Sequence, residues 1–238
     1  MADAAIEFRD TRYGLNGRVI LGPVSLTVFR GETLVLLGKS GSGKTTALRL
    51  INRLLLPPGG DVVVSGRSTR EWDPVRLRRG IGYVIQEGGL IPHMTVERNV
   101  GLVPRLEGWP KEQVRVRATE LLALVGLPAE EYARRLPHEL SGGQRQRVGV
   151  ARALAADPPI LLCDEPFGAL DPMMRSELQT EFGALVRRLS KTVVFVTHDV
   201  REAMLLGTRI AVLEGGEVRF IGAVDAFQAS PDPHVTAL

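Results

Sequence analysis

Eight consecutive residues, Gly38-Lys39-Ser40-Gly41-Ser42-Gly43-Lys44-Thr45, constrain this chain more than any other feature. They fit Gly-x-x-x-x-Gly-Lys-Ser/Thr position by position and stand between a continuous apolar run, Thr33 to Leu37, and a helical pattern from Lys44 to Leu55. A run apolar on both faces suits a strand buried in a parallel sheet, so strand, glycine loop and helix are expected in that order. Glycines let backbone N–H groups approach phosphate oxygens, and the helix N-terminus adds a favourable partial positive charge. Lys44 can reach β- and γ-phosphates, and the Thr45 hydroxyl can ligate magnesium. Gly38, Ser40, Gly41, Ser42, Gly43, Lys44, Thr45 and Thr46 are therefore candidate nucleotide-binding residues.

Other segments also end in polar groups. Ile6-Glu7-Phe8 and Val24-Ser25-Leu26-Thr27-Val28 alternate as strands do and Gly31-Glu32 forms a turn, so residues 1–31 are expected as an antiparallel β edge. Pro57-Pro58-Gly59-Gly60 closes the first helix, and Asp61 to Val64 resumes a short strand. From about Val100 helical spacing takes over: Pro110 suits a first turn, and Val114, Ala118, Leu121, Leu122 and Val125 share one face. Ile160 to Cys163 ends in Asp164-Glu165, and Thr192 to Thr197 ends in His198-Asp199. With the glycine loop, these bring three segments to the C-terminal rim of a parallel sheet, where ligands bind. Ile210 to Leu213 and Val218 to Ile221 flank Glu214-Gly215-Gly216-Glu217 as a hairpin, followed by a short terminal helix.

The expected fold is α/β: a P-loop core with a mainly parallel sheet, an N-terminal antiparallel β subdomain and an inserted α-helical subdomain. One domain is expected over residues 1–238, with the core and β subdomain in 1–87 and 156–238 and the helical subdomain at about 88–155.

Composition narrows the function classes. The chain has 238 residues, 44% hydrophobic and 24% charged, enough to bury a core. Its apolar runs fall far short of the roughly 18–20 residues of a spanning helix, and its start lacks the basic and apolar regions of a signal peptide. Thirty basic against 27 acidic residues give a net +3, too balanced for a nucleic-acid footprint. The single cysteine, Cys163, excludes an intramolecular disulfide and a zinc cluster.

Asp164, at the end of an apolar run, suits a magnesium contact through water, and Glu165 can accept a proton from an attacking water. A salt-bridged or solvated carboxylate is the alternative for Glu165. Cys163 reads as a small apolar strand residue. Leu140-Ser141-Gly142-Gly143-Gln144 precedes a helix through Leu154, which makes it a second anion cradle or a helix cap followed by the apolar face Val148, Ala151, Leu154 and Ala155. His93 and His138 read as structural or surface residues, and Met173-Met174 as helix packing.

On these stretches, the chain resembles the ATP-binding-cassette ATPases over nearly its whole length, Leu140 to Gln144 matching their signature. The resemblance implies ATP and magnesium as cofactors and two copies paired head to tail. Each ATP would then lie between the phosphate loop of one copy and Ser141, Gly142, Gly143 and Gln144 of the other. It implies that Gln86 senses magnesium and the water while linking to a membrane partner, and that His198 contacts the γ-phosphate. Ala169-Leu170-Asp171 looks like the D-loop, with Asp171 reaching across the dimer, and Tyr13 is similar in position to the aromatic that stacks on adenine, although an aromatic in an edge strand also simply covers a sheet.

The wording around Ile81-Gly82-Tyr83-Val84-Ile85-Gln86, Arg135 to Leu140 and Asp164 to Pro172 is most similar to the glycine betaine, carnitine and choline uptake group. That likeness implies an ATPase motor on the cytoplasmic side of the cell membrane, attached peripherally to permease subunits and served by an extracytoplasmic substrate-binding protein, with no nucleic acid. Many such relatives continue into paired regulatory domains, whereas this chain stops at Leu238. An importer of another small solute is the alternative. A cassette acting on DNA or ribosomes usually carries long insertions or two cassettes, and a kinase or GTPase leaves Leu140 to Gln144 unexplained.

Overall fold

The computed structural model describes residues 3–168 and 170–236, and of Glu87 and Gly88 the backbone alone. Ala169, the first residue of the expected D-loop, lies outside the described residues. In chain order the described strands are β1 (Ala4–Leu15), β2 (Arg18–Phe29), β3 (Thr33–Leu37), β4 (Gly59–Val64), β5 (Arg67–Ser68), β6 (Ile81–Val84), β7 (Ile160–Asp164), β8 (Thr192–Thr197), β9 (Arg209–Glu214) and β10 (Glu217–Ala223). The chain forms two compact units, one of residues 1–78 with 182–238, the other of 79–181.

In the first unit, β1, β2, β4 and β5 make an antiparallel sheet in the order β2-β1-β4-β5. The tight connection at Asn16-Gly17, both at positive φ, has the backbone that two-residue hairpins favour. Ile6 and Phe8 are buried and pair with Val28 and Leu26 on one side and with Val64 and Val62 on the other. β1 is therefore interior to its sheet rather than an edge, because β4 arrives from some fifty residues downstream to cover its open side.

The same unit holds β3 between two parallel neighbours, β8 and β9, with β10 antiparallel to β9. All five residues of β3 are buried, and Leu34 to Leu37 are no more than 1% exposed. Burial of each such side chain favours folding by about 1.5–3 kcal/mol, so the strand is a rigid mount for the glycine loop at its end. The next helix, Lys44–Ile51, stops four residues before the expected Leu55. Asn52 caps it, its Oδ1 accepts from Leu54 N–H, and Arg53 adopts φ 55°, which turns the chain out of the helix. Two short helices, Val224–Gln228 and Pro233–Thr236, stand where one was expected after the hairpin.

In the second unit β6 and β7 pair in parallel, Ile81 opposite Ile160 and Val84 opposite Cys163. Between them the described residues hold no strand, only helices and turns. Val114, Ala118, Leu121 and Leu122 are buried on the helix Lys111–Leu124, as their spacing requires, and pack with Val96, Val100, Val148 and Leu154 in the helical core. Asn99, fully buried, accepts from Ile91 N–H and donates to the carbonyls of Ile91, Met94 and Thr95, which holds a polar loop inside an apolar setting. Met173 departs from the packing expected of it: it is 81% exposed, while its neighbour Met174 packs on Gly143. Among the described residues, no helix is long and apolar enough to cross a membrane.

Candidate functional site

In the first unit the phosphate loop runs directly on from β3. A Cβ on Gly38 would stand 2.2 Å from the Leu213 carbonyl oxygen, and one on Gly43 2.8 Å from that of Ile20, so both positions exclude a side chain. Gly43 also caps the Lys44–Ile51 helix at φ 100°, a conformation that only glycine adopts readily. Gly41, at φ 81°, faces open space. Lys44 is buried, and its ammonium donates to the carbonyls of Gly38 at 2.6 Å and Lys39 at 2.9 Å, bridging the loop from its own helix.

Two observations are in keeping with an anion site at this loop. The Lys44–Ile51 helix starts from Gly43, which supplies no side-chain cap, and carries no acidic residue in its first turn, so its positive end faces the loop without a carboxylate of its own first turn. The Ser42 hydroxyl is buried without a hydrogen-bond partner, an arrangement that costs about 1–3 kcal/mol unless something else meets it. Thr45 and Thr46 are half-buried in the first helical turn. Arg12, Tyr13, Gly14, Val19, Leu21 and Pro58 help line a separate cleft of about 380 Å³, largely apolar, in which the half-exposed Tyr13 ring offers a flat face.

His198 stands exposed just past β8. The peptides on either side of it are fixed: the buried Thr197 hydroxyl donates to Glu202 and accepts from Asp199 N–H, and the Asp199 carboxylate accepts from the N–H groups of Arg201 and Glu202. Thr197 and Glu202 escape sequence reasoning, though a polar residue ending an apolar strand and a carboxylate four positions past the histidine are visible signals.

In the second unit Asp164 ends β7 half-buried, and the Tyr83 hydroxyl donates to its Oδ2 at 3.2 Å. Glu165 comes next at φ 43°, a left-handed conformation uncommon for a side-chain-bearing residue. Gln86 begins a single 3-10 turn, Gln86–Gly89. Its Nε2 and the Glu165 Oε2 both lie within 4 Å of the point where a Gly168 Cβ would stand, so these two predicted residues converge over a glycine. Arg152, on the signature helix, donates to the Gly89 carbonyl at 2.7 Å and so ties that helix to the turn carrying Gln86. Burial lowers the pKa of its guanidinium from the ordinary value. Cys163 is fully buried, and burial followed by the adjacent Asp164 charge pushes its thiol well above the usual range, in keeping with an inert strand residue.

The segment from Ser141 builds the second helix N-terminus, Gly142–Leu154. Ser141 Oγ accepts from Gln144 N–H at 3.2 Å, and Gln144 Oε1 accepts from Ser141 N–H at 2.9 Å, a reciprocal capping box. Gln144 Nε2 also donates to the Tyr132 hydroxyl. Gly143 is buried, and a Cβ there would meet the Met174 sulfur at 2.1 Å. Asp171 caps the helix Pro172–Arg188 within its own chain, accepting from Met174 N–H at 3.0 Å. Thus the phosphate loop, Tyr13 and His198 belong to the first unit, and Gln86, Asp164, Glu165, Ser141 to Gln144 and Asp171 to the second.

Comparison with known proteins gives this arrangement a family. Residues 21–168 match the family model described as ABC transporter. A glycine betaine/carnitine/choline transport ATP-binding protein, OpuCA of Bacillus subtilis, is 52% identical over 90% of this chain and 56% of its own length. The glycine betaine uptake system ATP-binding protein YehX of Escherichia coli is 45% identical over 90% of this chain and 69% of its own length. The chain thus spans little more than half the length of several curated relatives it matches. Among solved structures, a post-hydrolysis dimer of the ATP-binding cassette MJ0796 bound to ADP and Pi superposes with a TM-score of 0.81 at 36% identity, covering 92% of this chain and 98% of that one. By this match and the site it accompanies, the chain belongs to the ABC transporter family.

Proposed function

We propose that this chain is the ATP-hydrolysing subunit of an importer for quaternary-amine osmoprotectants of the glycine betaine, choline and carnitine type. The observation that carries the reading is the presence, in one chain, of two helix N-termini fit for phosphate: an uncapped one behind the Gly38 to Thr45 loop and one built by Ser141 to Gln144. The names of OpuCA and YehX support the solute class.

Hydrolysis of ATP supplies the free energy of the cycle, and magnesium neutralises phosphate charge. In this reading the loop N–H groups, the Ser42 hydroxyl and Lys44 hold the phosphates, and Tyr13 stacks on adenine. Thr45, Asp164 and Gln86 offer the hard oxygen donors that suit magnesium. Glu165 takes a proton from the attacking water, and His198 holds the γ-phosphate. Ser141, Gly142, Gly143 and Gln144 of a second copy close over the same triphosphate, with Asp171 reaching across, so ATP closes a head-to-tail homodimer and hydrolysis releases it.

The motion passes to integral-membrane permease subunits docked on the helical segment, about 88–155, beside Gln86. An extracytoplasmic binding protein delivers solute to the permease. The chain then sits peripherally on the cytoplasmic side of the cell membrane. The test is uptake into proteoliposomes carrying this chain with a permease and binding protein of the quaternary-amine class from the same source. ATP-dependent accumulation of radiolabelled glycine betaine or choline is expected, and accumulation of an amino acid with no betaine transport would overturn the solute assignment.

A further inference from the structure

The Tyr83 hydroxyl and the Asp164 carboxylate meet across two parallel strands, and the motif in which that phenol stands gives it no role. Tyr83 lies opposite Leu162, two residues before Asp164, and a strand returns to the same face every second residue. A tyrosine placed there leans along the sheet to the strand end. Its backbone is held firmly. A Cβ on the preceding Gly82 would stand 2.4 Å from the Ala153 carbonyl oxygen and equally close to Leu161, so β6 is pressed against the signature helix on that face. Tyr83 takes the opposite face and is half-buried, while Ile81, Gly82 and Val84 are buried.

We propose that Tyr83 is a positioning residue that orients the Asp164 carboxylate toward the metal, through the phenol donated to Oδ2. This rests on the reading of Asp164 as the magnesium contact. A carboxylate on a strand end rotates about its Cβ–Cγ bond, and a donor fixed to the neighbouring strand narrows that rotation. Groups that orient a metal contact in this way alter metal affinity by roughly tenfold or more when removed. At 3.2 Å the contact is long for O–H···O, which suits orientation more than stabilisation of the fold. In this role the phenol acts through Asp164 and is not itself a metal ligand. Its loss is therefore expected to appear in the metal dependence of nucleotide binding and not in metal-free binding.

The experiment titrates a fluorescent ATP analogue into purified wild-type chain, Tyr83→Phe and Asp164→Asn, each in EDTA and in a magnesium series, with melting temperatures as a folding control. Tyr83→Phe is expected to fold and to bind the analogue in EDTA as wild type does, while half-saturating magnesium rises by roughly tenfold. Asp164→Asn should lose the magnesium-dependent gain altogether. If Tyr83→Phe keeps wild-type magnesium dependence while Asp164→Asn loses it, the positioning role is wrong and the reading of Asp164 stands. If Asp164→Asn also keeps that dependence, the reading beneath the proposal fails with it. Weakened binding in EDTA, or a lowered melting temperature in Tyr83→Phe, would make the phenol a structural group and overturn the proposal.

Discussion

Two helix N-termini in this molecule meet the same electrostatic problem in opposite ways. The Lys44–Ile51 helix begins at a glycine with no side-chain cap, beside a buried serine hydroxyl that lacks a partner and a lysine folded onto loop carbonyls. The Gly142–Leu154 helix begins with Ser141 and Gln144 satisfying each other's backbone N–H groups. The first therefore leaves a buried hydroxyl and a positive helix end that suit an anion, whereas the second is satisfied by its own cap. In the proposed cycle this difference sets an order: phosphate enters the glycine loop first, and the signature of a second copy engages afterwards, giving up part of its own cap to do so. The supports differ too. A fully buried strand carries the first terminus, while close packing of Gly143 against Met174 places the second.

The sharpest way to break this comparison is to disturb the second terminus alone. Gly143→Ala would drive a methyl into the Met174 sulfur, an overpacking of about 1–3 kcal/mol. Turnover should fall by about tenfold or more, because a displaced signature no longer meets phosphate, while nucleotide binding to the isolated chain stays at the wild-type level. Gly143→Ala with Met174→Ala should recover much of the rate. Steady-state phosphate release and equilibrium nucleotide binding check both statements. Loss of nucleotide binding in the single variant would mean that the two termini are not independent.

A smaller effect separates them by sign. Without nucleotide, Ser141→Ala removes a cap and should lower stability by about 1 kcal/mol. Ser42→Ala removes a buried hydroxyl with no partner and should leave ligand-free stability unchanged or raised by up to about 1 kcal/mol, while weakening ATP binding. Denaturant unfolding of the two variants, with and without ATP, measures the contrast. Equal losses in the ligand-free state would show that Ser42 is already satisfied.

Legibility in the sequence divides along the range of the interactions. The phosphate loop, β3 and the Ser141 to Gln144 start are local patterns, so spelling and spacing reveal them. The early end of the first helix depends on Arg53 taking a left-handed conformation, for which a non-glycine residue gives little signal. The edge position expected for β1 is wrong because its second neighbour comes from far along the chain. Residue type alone assigns Met173 to packing, and only the direction of its helix face shows that it meets solvent. Tyr83 is the hardest case. Its contact with Asp164 requires the register of two strands some eighty residues apart, which no local pattern encodes. The convergence of Gln86 and Glu165 over Gly168 likewise belongs to tertiary structure.

The claim at the centre of the account is that a nucleotide on one copy's glycine loop is completed by the signature of another. Light scattering during size-exclusion chromatography, run on Glu165→Gln and Lys44→Ala with ATP or ADP, tests it directly. Glu165→Gln is expected to bind ATP, to hydrolyse it at least about 100-fold more slowly than wild type and to elute as a dimer with ATP but not ADP. Lys44→Ala, having lost the ammonium that spans the loop, should stay monomeric with either nucleotide. A Glu165→Gln chain that remains monomeric in saturating ATP and turns over at the wild-type rate would contradict both the shared site and its assigned base.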